Sequence, residues 1–343
     1  MRVLLVRLSS IGDVVHTLPT LRALTRAGHE VGWIVEPAAR PLLEGHPLLA
    51  LGVVPAVPAR PFALGPARVS LQILRRGRYD VALDLQGLWK SAAWARFSGA
   101  RRVVGFASAF RREPASSLLL SERADQPKDA RHVIDKNLSL LRPLGIDALG
   151  LREFPLPEMA KEEQRVAEEL RRMDLDEFVV LNPGGGWESK LWPAESFGAL
   201  ARGLADAGLR PVVTWGPGEE GLADRVVAAS AGAARRSFPT TLRECVALCR
   251  RARLVVAADT GPLHIACAVG TPVVALFGPT DPERNGPFEP EDRVVRRPPS
   301  CAPCYKRRCA SHAGVMTGLG VDEVLAAVRA RLASSSREAS HAV

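Results

Sequence analysis

The sequence predicts an α/β protein made of two doubly wound parallel sheets, and three observations predict it. Short apolar runs alternate with helix-compatible segments through both halves of the 343-residue chain. A Pro-containing stretch at 150–160 (GLREFPLPEMA) separates the two series. Residues 255–280 (VVAADTGPLHIACAVGTPVVALFGPT) read as strand, polar Gly-containing turn, helix and strand, a complete βαβ unit. The length exceeds one ordinary domain, so the expected division is 1–155 and 156–331. The polar tail at 332–343 is expected to be disordered.

In the first half, the apolar run 3–8 is a strand, and 14–26 reads as a helix after the SSIGD turn. Strands follow at 31–35 and 80–85, then a helix at 87–97, a short strand at 103–104 and an amphipathic helix at 129–143. Val133, Leu138 and Leu141 form the apolar side of that last helix. A charged helix at 160–173 opens the second half. Strand 178–181 leads into the loop NPGGGWESK, helix 194–205 and strand 211–215, then into GPGEE and a helix near 220–230. Thr241-Leu-Arg-Glu244 is a capping box, in which the Thr hydroxyl and Glu carboxylate satisfy backbone N–H groups at a helix start.

Composition is globular, with 47% hydrophobic and 24% charged residues. No apolar run approaches the length of about 18 residues that a membrane-spanning helix needs, and residues 1–8 lack a signal peptide's pattern. A cytoplasmic protein that touches a membrane surface is expected. The net charge is +9, and residues 1–150 hold 21 Lys/Arg against 12 Asp/Glu, so the whole excess lies there. A basic half implies an anionic partner: nucleic acid, an acidic membrane surface or a polyanionic substrate. No nucleic-acid-binding motif accompanies the charge, which ranks nucleic acid last. Solvated surface arginine is the plain alternative.

Cys245, Cys249 and Cys267 sit in helical apolar contexts as small core residues. Cys301, Cys304 and Cys309 form C-x2-C-x4-C, a zinc-like spacing one ligand short of a closed site, with His312 the nearest fourth. The sequence leaves zinc open there.

Three loops fall at C-terminal strand edges, where open α/β sheets bind ligands: 9–13, 182–190 and 259–264. Asp13 ends a tight turn just before a helix, where it can cap the helix or deprotonate a substrate hydroxyl. Lys190 follows a triple-glycine turn, a pairing suited to phosphate, although the P-loop spacing is absent. Asp259 and Thr260 precede a helix whose N-terminus favours anions, and His264 lies in its first turn. A helix cap with a core histidine is the competing reading. No G-x-G-x-x-G follows the first strand, which disfavours a Rossmann-type oxidoreductase.

RLSSIGDVVHTLPTLRAL (7–24), NPGGGWESKLWP (182–193) and DTGPLHIACAVGTPVVALFGPTDP (259–282) together resemble the lipopolysaccharide heptosyltransferases. LDLQGLWKSA, RREPASS and WGPGEE further resemble the enzyme that adds the first heptose to Kdo, while CAPCYKRRC is more like the tail of the second heptosyltransferase. The resemblance implies the GT-B architecture, two Rossmann-like domains facing across a cleft, and an inverting, metal-independent transfer of heptose from ADP-heptose to the Kdo-lipid A inner core. ADP-heptose enters as donor substrate, and no cofactor is implied. Asp13 would be the general base, with His16 supporting its loop. Lys190, Ser189, Gly186, Asp259, Thr260, Gly261 and His264 would surround the donor. Glu220, or in second place Glu219, would hold the ribose hydroxyls. Arg60, Arg112 and Lys136 resemble acceptor-binding positions. The implied location is the cytoplasmic face of the inner membrane, as a peripheral protein. Transfer to heptose, as by the second heptosyltransferase, and a non-catalytic nucleotide-sugar-binding protein are the alternatives.

Overall fold

The computed structural model describes residues 1–56, 64–304, 306–308 and 315–341. The chain divides into two units, Met1–Glu158 and Met159–Val343. The first contains β1 (Arg2–Val6), β2 (Glu30–Val35), β3 (Val53–Pro55), β4 (Val81–Asp84), β5 (Arg102–Phe106) and β6 (Glu122–Ala124). They form one sheet in the order β3-β2-β1-β4-β5-β6, with every pairing parallel. The second contains β7 (Val179–Asn182), β8 (Pro211–Val213), β9 (Arg235–Arg236), β10 (Leu254–Ala258), β11 (Val273–Phe277) and β12 (Arg293–Arg296). Its order, β12-β11-β10-β7-β8-β9, is the same winding. Each unit is thus doubly wound in the Rossmann manner, as the sequence pattern predicts. The strand order reverses between β1 and β4 and again between β7 and β10. Ligands bind such sheets beyond the strand C-termini at these two points.

The inner strands are apolar because both faces are covered, and Val3, Leu4, Leu5 and Val6 have no exposed surface. The strands that sequence reasoning missed are mainly the edge ones. β3, β6, β9 and β12 are two to four residues long and carry polar or proline residues, so they lack a buried-strand pattern. The expected helix at 14–26 is two helices, Ile11–Val15 and Leu18–Arg26. Pro19 has no N–H to continue the first, yet fits the first turn of the second.

The boundary falls a few residues beyond 155 because the linker packs on the first unit. Glu153 pairs with Arg22 at 3.2 Å and Arg26 at 2.7 Å, and His46 Nε2 lies 3.0 Å from the carbonyl of Pro155. The tail expected to be disordered after 332 instead continues the helix Val321–His341. Its run of Ala, Arg and Leu contains neither Gly nor Pro, so local propensity sustains the backbone helix despite the polar composition.

A fully buried ion pair fixes the C-terminal end of β4. Arg111 Nη2 donates to Asp84 Oδ2 at 2.5 Å, and neither side chain has exposed surface. Asp84 Oδ1 accepts from the N–H groups of Gln86 and Gly87, and Arg111 Nε donates to Ser116 Oγ. Gln86 Oε1 in turn accepts from Leu8 N–H at 2.8 Å, tying this turn to the end of β1. Removing one partner strands a buried charge. Asp84→Ala is therefore expected to lower stability by about 3–5 kcal/mol, and the double variant Asp84→Ala/Arg111→Met to recover part of that loss, as measured by denaturant unfolding.

Candidate active site

In the first unit, the loop after β1 runs directly into the helix Ile11–Val15, with Ser10 at the N-cap. Asp13 is at N3 rather than at the cap expected of a helix-capping aspartate. Its Oδ2 accepts from Ser10 N–H at 3.1 Å and from Ser10 Oγ at 3.0 Å. The buried Arg7 places Nη1 3.9 Å from Asp13 Oδ1, while the Asp13 side chain keeps 30% of its surface exposed. Arg7 Nη2 also donates to Asn137 Oδ1 at 3.0 Å, and Asn137 Nδ2 donates to the carbonyl of His16 at 3.1 Å. His16 is buried, edge-on to His132 with ring centroids 5.4 Å apart.

Arg7 and Asn137 are neighbours of the Asp13 loop that sequence reasoning missed. Arg7 is the only charged residue in the apolar run 3–8, which was a usable signal. Asn137 left none, because 130 residues separate it from Arg7. Arg112 is exposed on the segment that follows β5, and Lys136 is half-buried on the helix Val133–Ser139. Arg60, Cys309 and His312 lie outside the described residues. Cys301 is exposed and Cys304 half-buried.

In the second unit, the switch point brings the loops after β7 and β10 together. Lys190 Nζ donates to Asp259 Oδ2 at 2.7 Å and to the Asp259 carbonyl at 3.0 Å, and lies 4.5 Å from the Trp187 ring centroid. His264 Nε2 lies 3.1 Å from Asp259 Oδ1. Burial disfavours the Asp259 charge, but the hydrogen bond from His264 and the charge of Lys190 outweigh it. The carboxyl is therefore held well below the usual carboxylate range. With Asp259 ionised, His264 Nε2 is the donor.

Thr260 is the N-cap of the helix Gly261–Ala268, and its hydroxyl donates to the carbonyl of Ala258 at 3.1 Å. Gly261 and Pro262 form the first helical turn, so the free N–H groups of this end start at Gly261.

Glu219, not Glu220, joins the Gly-rich loop. Its Oε1 accepts from Gly185 N–H and its Oε2 from Gly216 N–H, both at 2.9 Å. A Cβ at Gly184 would lie 2.0 Å from Glu219 Oε2, so a side chain there would displace the Glu219 carboxylate. Gly186 is exposed with open space around its Cα. Glu220 stands half-exposed in the first turn of the helix Glu220–Ala229. Ser189 is engaged elsewhere: its hydroxyl donates to the Lys306 carbonyl at 2.9 Å and its N–H to the Arg307 carbonyl at 3.2 Å. The order of the two glutamates and the role of Ser189 are thus the points on which the local geometry departs from the sequence expectation.

Against known proteins, the family model for glycosyltransferase family 9 (heptosyltransferase) matches residues 68–313. Lipopolysaccharide heptosyltransferase 1 of Pseudomonas aeruginosa is 33% identical over 321 residues, spanning 90% of this chain and 87% of that protein. Two structures of E. coli heptosyltransferase WaaC are also similar, each 25% identical and covering 96% of this chain. The one with ADP has a TM-score of 0.75 and is covered over 100% of its length. The one with ADP-2-deoxy-2-fluoro heptose has a TM-score of 0.72 and is covered over 99%.

The depressed pKa of Asp259 sets a pH signature. A carboxylate lowered on folding stabilises fully above its unfolded value, about 3.9, and loses that contribution as pH falls towards its folded value. The stability gap between wild type and Asp259→Asn is expected to hold steady from neutral pH to about 5 and to narrow below about 4, in denaturant titrations across pH. A gap that stays constant below about pH 4 would remove Asp259 as the source of the linkage.

Proposed function

The chain belongs to glycosyltransferase family 9, the heptosyltransferases, and from that premise we propose that it transfers heptose from ADP-heptose to the Kdo-lipid A inner core of lipopolysaccharide. The observation that carries this reading is the match to heptosyltransferase 1 over nine-tenths of the chain. The likeness to WaaC structures holding ADP and an ADP-heptose analogue supports an ADP-linked donor. The acceptor is a membrane lipid, and no described helix is long and apolar enough to cross a membrane. A peripheral location on the cytoplasmic face of the inner membrane follows from this reading.

Two aspartates compete for the role of base, and their surroundings separate them. Asp259 has both carboxylate oxygens engaged by Lys190 and His264 and is held strongly ionised, which makes it a poor proton acceptor. Asp13 is partly exposed, and Oδ2 alone takes the bonds from Ser10. In the proposed reaction Asp13 removes the acceptor hydroxyl's proton as that oxygen attacks the anomeric carbon. The bond from the anomeric carbon to the ADP oxygen breaks with inversion. Two of the three N–H bonds of the Lys190 ammonium donate to Asp259, and the third is left for the leaving pyrophosphate. The N–H groups that begin at Gly261 add a fixed positive potential, so the reading invokes no metal. Glu219 is the better candidate for the ribose hydroxyls, because each of its oxygens retains a lone pair beyond its backbone bond. Gly186 offers open backbone to the donor. Arg60, Arg112 and Lys136 remain the proposed acceptor contacts.

Purified protein given ADP-heptose and Kdo-lipid A is expected to release ADP and heptosylated lipid in equal amounts. Transfer only to an acceptor that already bears heptose would move the chain to the second-heptose reaction. Donor binding without ADP release would make it a non-catalytic binder. Asp13→Asn is expected to lower turnover by about two to four orders of magnitude with ADP affinity unchanged, and turnover within threefold of wild type would remove Asp13 as the base. Glu219→Gln is expected to weaken ADP binding in calorimetry more than Glu220→Gln does. Activity is expected to persist in EDTA.

A further inference from the structure

Eight large apolar side chains are exposed among the described residues, and six of them belong to one stretch of the first unit, residues 69–118. Val69 and Ile73 are one turn apart on the helix Leu64–Arg76, so they share its outer face. Trp89 and Phe97 stand at opposite ends of the helix Trp89–Phe97, within about 80° of each other around its axis. Phe110 and Leu118 belong to the 3-10 turns Ser108–Phe110 and Pro114–Leu119. Exposure runs from 43% at Ile73 to 72% at Leu118.

These pieces are joined. Arg75 Nε donates to the Phe97 carbonyl at 3.4 Å, and Trp89 N–H donates to Glu113 Oε2 at 2.5 Å. The inner sides of both helices face one core, where Leu74 and Ala95 meet sheet residues such as Leu4 and Ala82. Their outer sides are left to solvent.

Apart from Glu113 beside Trp89, the charge on this surface is mostly basic. Residues 64–78 contain four arginines and no acidic residue, and residues 85–112 contain six Lys/Arg and again no acidic residue. Lys90, Arg102 and Arg111 are neutralised by Glu36, Glu122 and Asp84. Arg68, Arg75, Arg76 and Arg96 are exposed, with no carboxylate partner among the described residues. Exposed apolar patches of this extent mark interaction surfaces. Aromatic tips, aliphatic side chains and arginines that lay their stems on apolar surface while keeping their heads in a polar layer suit a lipid headgroup region. A protein partner would need a matching acidic apolar face, whereas an anionic bilayer meets both requirements along its whole surface.

We propose that the outer face of the helices Leu64–Arg76 and Trp89–Phe97, with the adjoining turns, docks the first unit on anionic phospholipid. The face begins at Trp89, just past the C-terminal end of β4, on the sheet edge that also carries the Asp13 loop. Docking therefore brings this edge towards lipid headgroups. The proposal goes beyond the transfer reaction and does not rest on it, since neither donor nor acceptor is needed for docking.

Vesicle co-sedimentation of the full chain tests it, comparing phosphatidylcholine alone with phosphatidylcholine containing phosphatidylglycerol. Wild type is expected to pellet with the anionic vesicles only, and less so as salt rises. Arg76→Glu/Arg96→Glu is expected to lower partition at least about tenfold, since each cation near an anionic leaflet is worth about fivefold. Ile73→Ser/Phe97→Ser is expected to lower it about tenfold through lost apolar burial, with both variants keeping the wild-type Tm. The salt titration of wild type reads the electrostatic part even if a variant misfolds. Equal binding to both vesicle types, or variants that pellet like wild type, would overturn the proposal. So would a dimer in analytical ultracentrifugation that Ile73→Ser/Phe97→Ser dissociates while vesicle binding is unchanged.

Discussion

An ionised carboxylate buried at the end of β10 is the constraint around which the second unit's loops are organised. Asp259 is 5% exposed, and a charge so placed is tolerable only when it is paired and hydrogen-bonded. Its two oxygens take Lys190 from the loop after β7 and His264 from the helix after β10. This one side chain therefore fixes the Gly-rich loop, the helix N-terminus and the ammonium relative to one another before any ligand arrives. In the proposed transfer, preorganised charge of this kind would need little rearrangement as the pyrophosphate leaves. Glu219 extends the same order to the loop after β8 by holding two backbone N–H groups.

The first unit solves the corresponding problem with different chemistry. Its switch-point loops are tied by Gln86, whose turn is held by the Asp84–Arg111 pair. Asp13 itself is only partly buried and is steadied from below by Arg7, which Asn137 orients. The contrast matters for function. A carboxylate sealed by two hydrogen-bonded partners organises a site, whereas one with exposed surface can exchange a proton.

The charge imbalance of the sequence acquires a location in the fold. Much of the first half's basic excess falls in two acid-free segments that form neighbouring helices and turns on one side of the β3-β2-β1-β4-β5-β6 sheet. Composition alone could assign that charge to an anionic partner but could not distinguish a substrate from a surface. The docking proposed for this face takes the exposed apolar side chains beside the arginines as a sign of a surface.

The sequence by itself determined the fold class, the division into two units and the loops at the C-terminal strand edges. Each of these is written in local pattern: apolar runs with polar turns at their ends, Pro-containing connections, and three motifs in consistent order. It also singled out Asp13, Lys190, Asp259 and His264, of which the structure brings the last three together. The edge strands stayed hidden because strands of only two to four residues are too short to show a periodicity, and the break at Pro19 and the final helix were misjudged for equally local reasons. Only the tertiary structure decided partners. Lys190 meets Asp259 across 69 residues of chain, Arg7 meets Asn137 across 130, and Glu219 rather than Glu220 reaches Gly185 across 34. Those pairings follow from strand order and from the phase at which each helix starts, and neither is encoded in any window of neighbouring residues.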